Sequence, residues 1–263
     1  MIHVGTAGFK YQDWKGTFYP QDLKDKDMLS FYAQHFDAVE LDFTYYHLPN
    51  VRTMSGIEAK TPDGFHFTVK AHRSMTHEIP QGEKERKEIF GRFREALTPM
   101  VKTGKLGCVL VQFPWSFRPG PRERSYVFSW PQRLPDVPLV VEFRHTDWLV
   151  HDIFQDLIRH QMGFCCVDEP RLPGLLPALA LATSAVAYVR YHGRNARKWW
   201  KHETVSHRYD YLYAPEELQE WVGRIQSLTA QANITYVMFN NCHEGHAATN
   251  ARMMQVLLED QGS

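Results

Sequence analysis

Two rhythms of apolar residues alternate along the chain. Short runs rich in Val, Ile, Phe and Tyr recur at 3–5, 38–43, 65–71, 107–113, 138–144, 163–168, 185–193 and 234–240. Each has the length and the β-branched or aromatic character of a buried strand. Between them, the apolar residues of 28–36, 88–101, 152–162, 215–228 and 246–260 return every three or four positions, as on one face of a helix. In 88–101 that stripe is Ile89, Phe90, Phe93, Leu97, Met100 and Val101, and Pro215 stands where a helix begins. Weaker connections lie at 51–60 and 122–134, and the prolines of 170–184 cut short any helix there. Strand alternating with helix, with no compositional break to mark a linker, predicts a single (β/α)8 TIM-type barrel with parallel strands over 1–263. An open doubly wound sheet is the competing architecture.

The period of two within the strands separates a helix-facing side from a barrel-facing side. In 138–144, Leu139, Val141 and Phe143 oppose Val140, Glu142 and Arg144. In 38–43, Val39, Leu41 and Phe43 oppose Ala38, Glu40 and Asp42, and in 65–72 four apolar residues oppose His66, Thr68, Lys70 and His72. Carrying the alternation round the barrel adds Gln112, Asp168, Arg190, His192 and Asn240. Polar side chains thus gather at the carboxyl ends of the strands, where barrel enzymes place their chemistry. A set of mutually satisfied ion pairs is the competing explanation, because buried carboxylates need partners.

Composition narrows the setting. Thirty Lys and Arg balance thirty Asp and Glu, so any basic binding site must be local rather than global. No run approaches the roughly 20 apolar residues of a membrane span, and the beginning of the chain lacks a signal pattern, so a cytoplasmic protein is expected. Cys108, Cys165, Cys166 and Cys242 show no CxxC spacing and read as small buried hydrophobes.

The chain resembles the YecE-like proteins, a family of unknown function, in the ordered motifs VGTAGFKYQDWKGTFYP, AVELDFTYYHLP, TPDGFHFTVKAHRSMTHE, VLVQFPWSF, VVEFRHTDW, YVRYHGR, YDYLYAPEELQEW and FNNCHEGHAATNA. The resemblance covers nearly the whole chain and implies a TIM-type barrel. It implies no activity, substrate or cofactor. Asp42, where the family usually has Asn, and Ile57, near a usual Trp, depart from its pattern.

Function therefore rests on the rim residues. Glu142 and Glu40 are candidate acid/base carboxylates and His192 a candidate proton shuttle. Lys70, Arg144 and Arg190 would hold an anionic, phosphate-bearing substrate, with His72, Gln112, Trp148, Asp168, Gly193, Asn240 and Asn241 completing the candidate binding set. This predicts a hydrolase-like enzyme needing neither metal nor cofactor. A metal-dependent nuclease or isomerase is less favoured, because three cations would face the ion and no HxH or HExxH spacing occurs. Paired glutamates also suggest a glycosidase, but they sit on strands 2 and 5 rather than the strand 4 and 7 ends usual in barrel glycosidases. The rival from another class is a binding protein for a nucleotide or single-stranded nucleic acid. Its loop 194–213 sets Trp199, Trp200 and Tyr209 among cations, with six Arg or Lys against one Glu over 190–208.

Overall fold

A computed structural model describes residues 1–260, without the side chains at 205 and 206. Eight parallel strands, β1 (Ile2–Ala7), β2 (Ala38–Leu41), β3 (His66–Lys70), β4 (Leu106–Gln112), β5 (Leu139–Glu142), β6 (Gly163–Asp168), β7 (Val186–Tyr191) and β8 (Ile234–Phe239), close into a barrel in sequential order. β8 pairs back onto β1 from Ile2↔Thr235 to Thr6↔Phe239. All eight expected strands are present and the barrel is closed, which excludes the open sheet.

The helices follow the apolar stripes. Glu83–Lys102 buries Phe90, Phe93, Ala96, Leu97 and Met100. Pro215–Gln231 buries Leu218, Trp221, Val222, Ile225 and Leu228 behind β7 and β8. His246–Glu259 turns Ala247, Ala248 and Ala251 inward, small residues that let it lie close to β1. The connection 170–184 carries no helix. Its prolines leave it extended, held by Leu176 N–H donating to the Glu169 carboxylate (2.9 Å) and by Thr183 Oγ1 accepting from Phe164 N–H (2.7 Å). Among the described residues no helix is long and apolar enough to cross a membrane.

Inside the barrel the side chains form layers, as strand alternation requires. At the amino-terminal end, His3 stacks on His66 with ring centroids 4.2 Å apart, and His66 Nδ1 lies 2.7 Å from the Tyr236 hydroxyl. Gly107 belongs to this level because a Cβ there would fall 2.3 Å from the Tyr236 hydroxyl. Thr68 and Tyr188 join across the middle at 2.8 Å, beside Cys108 and Cys165, both fully buried. Above them the interior becomes charged.

Candidate functional site

β7 turns Tyr188, Arg190 and His192 toward the axis, and Arg190 forms the hub of a buried network. Its Nε and Nη2 donate to both oxygens of Glu40, at 2.9 and 2.6 Å, while Nη1 donates to Glu142 Oε2 at 2.6 Å. The Tyr188 hydroxyl also donates to Glu40, at 2.8 Å. The second oxygen of Glu142 meets Arg144 Nε at 2.5 Å and His192 Nε2 at 3.1 Å. Asn240 Nδ2 lies 3.0 Å from His192 Nδ1, so the amide donates to that nitrogen and the ring proton sits on Nε2, facing Glu142.

Glu40, Glu142 and His192 are completely enclosed. Burial alone would raise the Glu142 carboxyl, but Arg144, Arg190 and His192 outweigh it and hold it well below the usual carboxylate range. Burial and the Arg144 guanidinium push His192 down to about 3, so it is neutral at physiological pH. The three residues expected to carry acid/base chemistry therefore have their hydrogen-bonding capacity committed to Arg190, to Tyr188, to Asn240 and to one another, with Arg144 adding an ion pair to Glu142. They stand beneath the pocket rather than lining it.

The pocket itself opens above this platform in two lobes. One, of about 350 Å³, is lined by Tyr11, Asp42, Lys70, Arg190, Tyr209 and Asn240 among others. The second, of about 380 Å³, reaches Lys70, Gln112, Arg144, Arg208 and Tyr209, with Trp115 and Trp200 at its side. Lys70, Tyr46 and Tyr209 belong to both lobes and join them. The long loop after β7 forms the roof, bringing Trp199, Trp200, Arg208 and Tyr209 over the strand ends. Tyr209 stands out electrostatically. Burial would raise its phenol, yet Arg144, Lys70, Arg208 and Arg190 lower it below the ordinary tyrosine value. Lys70 is lowered as well, by burial and then by Arg190, with its ammonium 4.6 Å from the centre of the Tyr45 ring.

Of the candidate binding residues, Lys70, Gln112, Arg144, Arg190 and Asn240 reach the cavity. Five others do not. His72 caps the short helix Arg73–Thr76, accepting from Ser74 N–H at 3.3 Å. Trp148 lies behind β5, stacked on Phe143 at 4.2 Å and donating to the Phe117 carbonyl. Asp168 points out of the barrel, where it accepts from Trp221 Nε1 (2.8 Å), the Tyr213 hydroxyl (2.7 Å) and Arg194 (2.8 Å). The inward phase of β6 is instead set by Cys165, whose thiol faces Glu142, and the acid that continues it is Glu169, 3.5 Å from Arg144. Gly193, at φ +84°, admits Tyr211 rather than a ligand, since a Cβ would lie 2.7 Å from the Tyr211 Cβ. Asn241 is buried and donates to the Tyr211 carbonyl and to Asn250.

Sequence reasoning missed the pocket roles of Tyr46, Trp115 and Arg208 and the buried acid Glu169. Tyr46 and Trp115 follow strand ends, and Glu169 keeps the alternation of Cys165 and Val167; those signals were available. The expected cationic loop is neutralised in part. Arg194 pairs with Asp168, Glu217 and Glu220, and Lys198 with Asp210. Trp199 is buried, with Arg208 over its ring. Among the described residues, no three His, Cys, Asp or Glu side chains are arranged to hold a metal ion.

A closed (β/α)8 barrel with a cation-lined pocket at its carboxyl rim defines the class of protein. The chain belongs to the family described as "Protein of unknown function DUF72", whose model matches residues 3–263. It is similar to a DUF72 family protein of Thermotoga maritima, with 40% identity and a TM-score of 0.90 over 98% of this chain and 99% of that one. A second solved DUF72 protein, from Enterococcus faecalis, is 27% identical with a TM-score of 0.86, covering 98% and 96%. The UPF0759 protein YunF of Bacillus subtilis is 32% identical over 98% of this chain and 95% of its own.

Proposed function

We propose that this protein is an acid/base enzyme acting, by hydrolysis or a related proton transfer, on an anionic, phosphate-bearing substrate bound at the carboxyl rim. Lys70, Arg144 and Arg208 hold the anion, and Tyr209 is the group that moves the proton. The observation that carries this reading is that, of the two phenols on the wall shared by both lobes, burial raises Tyr46, whereas Tyr209 is set among four cations that lower it. Such surroundings favour the phenolate and bring the acidity of tyrosine toward the range where general acid/base catalysis works. Glu40, Glu142 and His192 act as positioning residues, because they orient Arg190 and Arg144 from below.

A second reading, a nucleotide-binding protein, is favoured by one feature. Trp115 and Trp200 pack edge to face at 5.4 Å and are 38% and 48% exposed beside the cationic lobe, with Arg118 4.5 Å from the Trp115 ring centre. A base could stack there.

The test is calorimetric titration with inorganic phosphate and with nucleotides, together with ultraviolet titration of the phenols. Phosphate binding that disappears in Lys70→Met and Arg144→Met, and a phenol titrating below the ordinary value of about 10 that is lost in Tyr209→Phe, are expected. Tight nucleotide binding unaffected by Lys70→Met but lost on Trp200→Ala favours the second reading. An absence of anion binding together with an unshifted phenol would reject the first.

A further inference from the structure

Beside the smaller lobe runs a groove of about 690 Å³ between the helices Met28–Tyr32 and Val51–Glu58. Leu29, Leu41, Phe43 and Ile57 line it with carbon. Three residues, Tyr11, Asp42 and Tyr46, line both this groove and the lobe that contains Lys70 and Arg190. The two spaces are therefore neighbours across one partition. Tyr46 stands on that partition with 57% of its surface exposed.

The outer rim of the groove is polar but occupied. Lys10 lies 3.4 Å from Asp25, and Lys60 donates its ammonium to the Lys26 carbonyl at 3.2 Å. Those contacts leave the carbon-lined interior as the surface available to a ligand. An apolar groove that shares a wall with a cationic pocket is matched by a molecule carrying both characters.

We propose that this groove binds the apolar part of the substrate whose anionic group sits at Lys70 and Arg144, so that the ligand is an amphipathic phosphate ester rather than a compact polar phosphate. The proposal rests on the anion-binding reading above. Asp42 stands on the partition, where burial and the nearby Glu40 raise its carboxyl above the usual value. Tyr46 would lie against the chain or ring as it crosses from one space to the other.

Calorimetric titration of the full chain with inorganic phosphate, butyl phosphate, hexyl phosphate, octyl phosphate and octanol tests this directly. Affinity is expected to rise by roughly fourfold for each methylene that enters the groove, following the usual cost of exposing a CH₂ group to water. Thr53→Trp, at an exposed position on the groove wall, and Ile57→Asp should flatten that rise while leaving inorganic phosphate binding unchanged. Phosphate binding with no dependence on chain length overturns the groove and leaves the anion reading standing. Octyl phosphate binding no tighter than octanol removes the anion reading and the linkage together. A chain-length dependence that survives both substitutions puts the chain elsewhere and overturns the assignment.

Discussion

Arg190 and Tyr209 face each other across the same rim, and both are surrounded by opposite or ionisable chemistry, yet their situations differ. Arg190 has both carboxylates it needs, Glu40 in a two-pronged contact and Glu142 at 2.6 Å. Tyr209 is ringed by four cations, of which Arg190 and Arg144 are already paired with carboxylates while Lys70 and Arg208 have no ion-pair partner among the described residues. The first arrangement is complete without a ligand. The second presents positive charge to a cavity and becomes balanced when an anion enters. Charge density alone therefore does not locate chemistry in this barrel; the degree to which each charge is already answered does.

The largest effect that separates the two regions concerns folding. Arg190→Met strands Glu40 and Glu142 in the interior, and a loss of about 3–5 kcal/mol is expected in urea denaturation. Lys70→Met, in the open layer, should stay within about 1 kcal/mol of the parent, because it removes a charge that burial already disfavours. Equal losses in the two variants would erase the distinction between platform and pocket.

Activity should show the reverse order. Tyr209→Phe keeps the ring and removes the proton, so turnover of the substrate found in the phosphate-ester titrations is expected to fall by about 10²–10⁴-fold with the melting temperature nearly unchanged. Glu142→Gln should mainly destabilise the protein, and any activity lost per folded molecule should be smaller than that lost in Tyr209→Phe. Full activity in Tyr209→Phe would break the assignment.

The smallest effect is a pH dependence of stability with two opposing parts. His192, lowered from 6.5 to about 3, takes up its proton more readily when unfolded. Its contribution is present above 6.5 and is lost as pH falls toward 3. Glu169, pushed from 4.5 up to about 7 chiefly by burial, contributes below 4.5, and that contribution is lost as pH rises through 7. Between 4.5 and 6.5 the two slopes partly cancel. Melting temperatures across this range should fall more steeply with acid in Glu169→Gln and less steeply in His192→Asn; parallel curves for all three proteins would rule out both titrations.

Local pattern was sufficient for the eight strands and for the inward direction of Glu40, Lys70, Gln112, Glu142 and Arg190, because alternation along a parallel strand depends on neighbouring residues only. It failed at Asp168 for a physical reason. In GFCCVDEP either phase places an acid near the strand end, and the choice is made by Trp221, Tyr213 and Arg194 on one side and by Glu142 and Arg144 on the other. Trp148 and Asn241 were drawn into the expected site by sequence proximity to β5 and β8, whereas packing turned them behind the strands. The division between a satisfied platform and an open pocket was likewise beyond any local reading. It depends on Arg190 meeting Glu40, 150 residues earlier, and on a loop after β7 folding back so that Tyr209 hangs over Lys70 and Arg144. Strand identity and facing are short-range properties of the chain; which charges find partners is settled when the barrel closes and distant segments compete for the same few carboxylates.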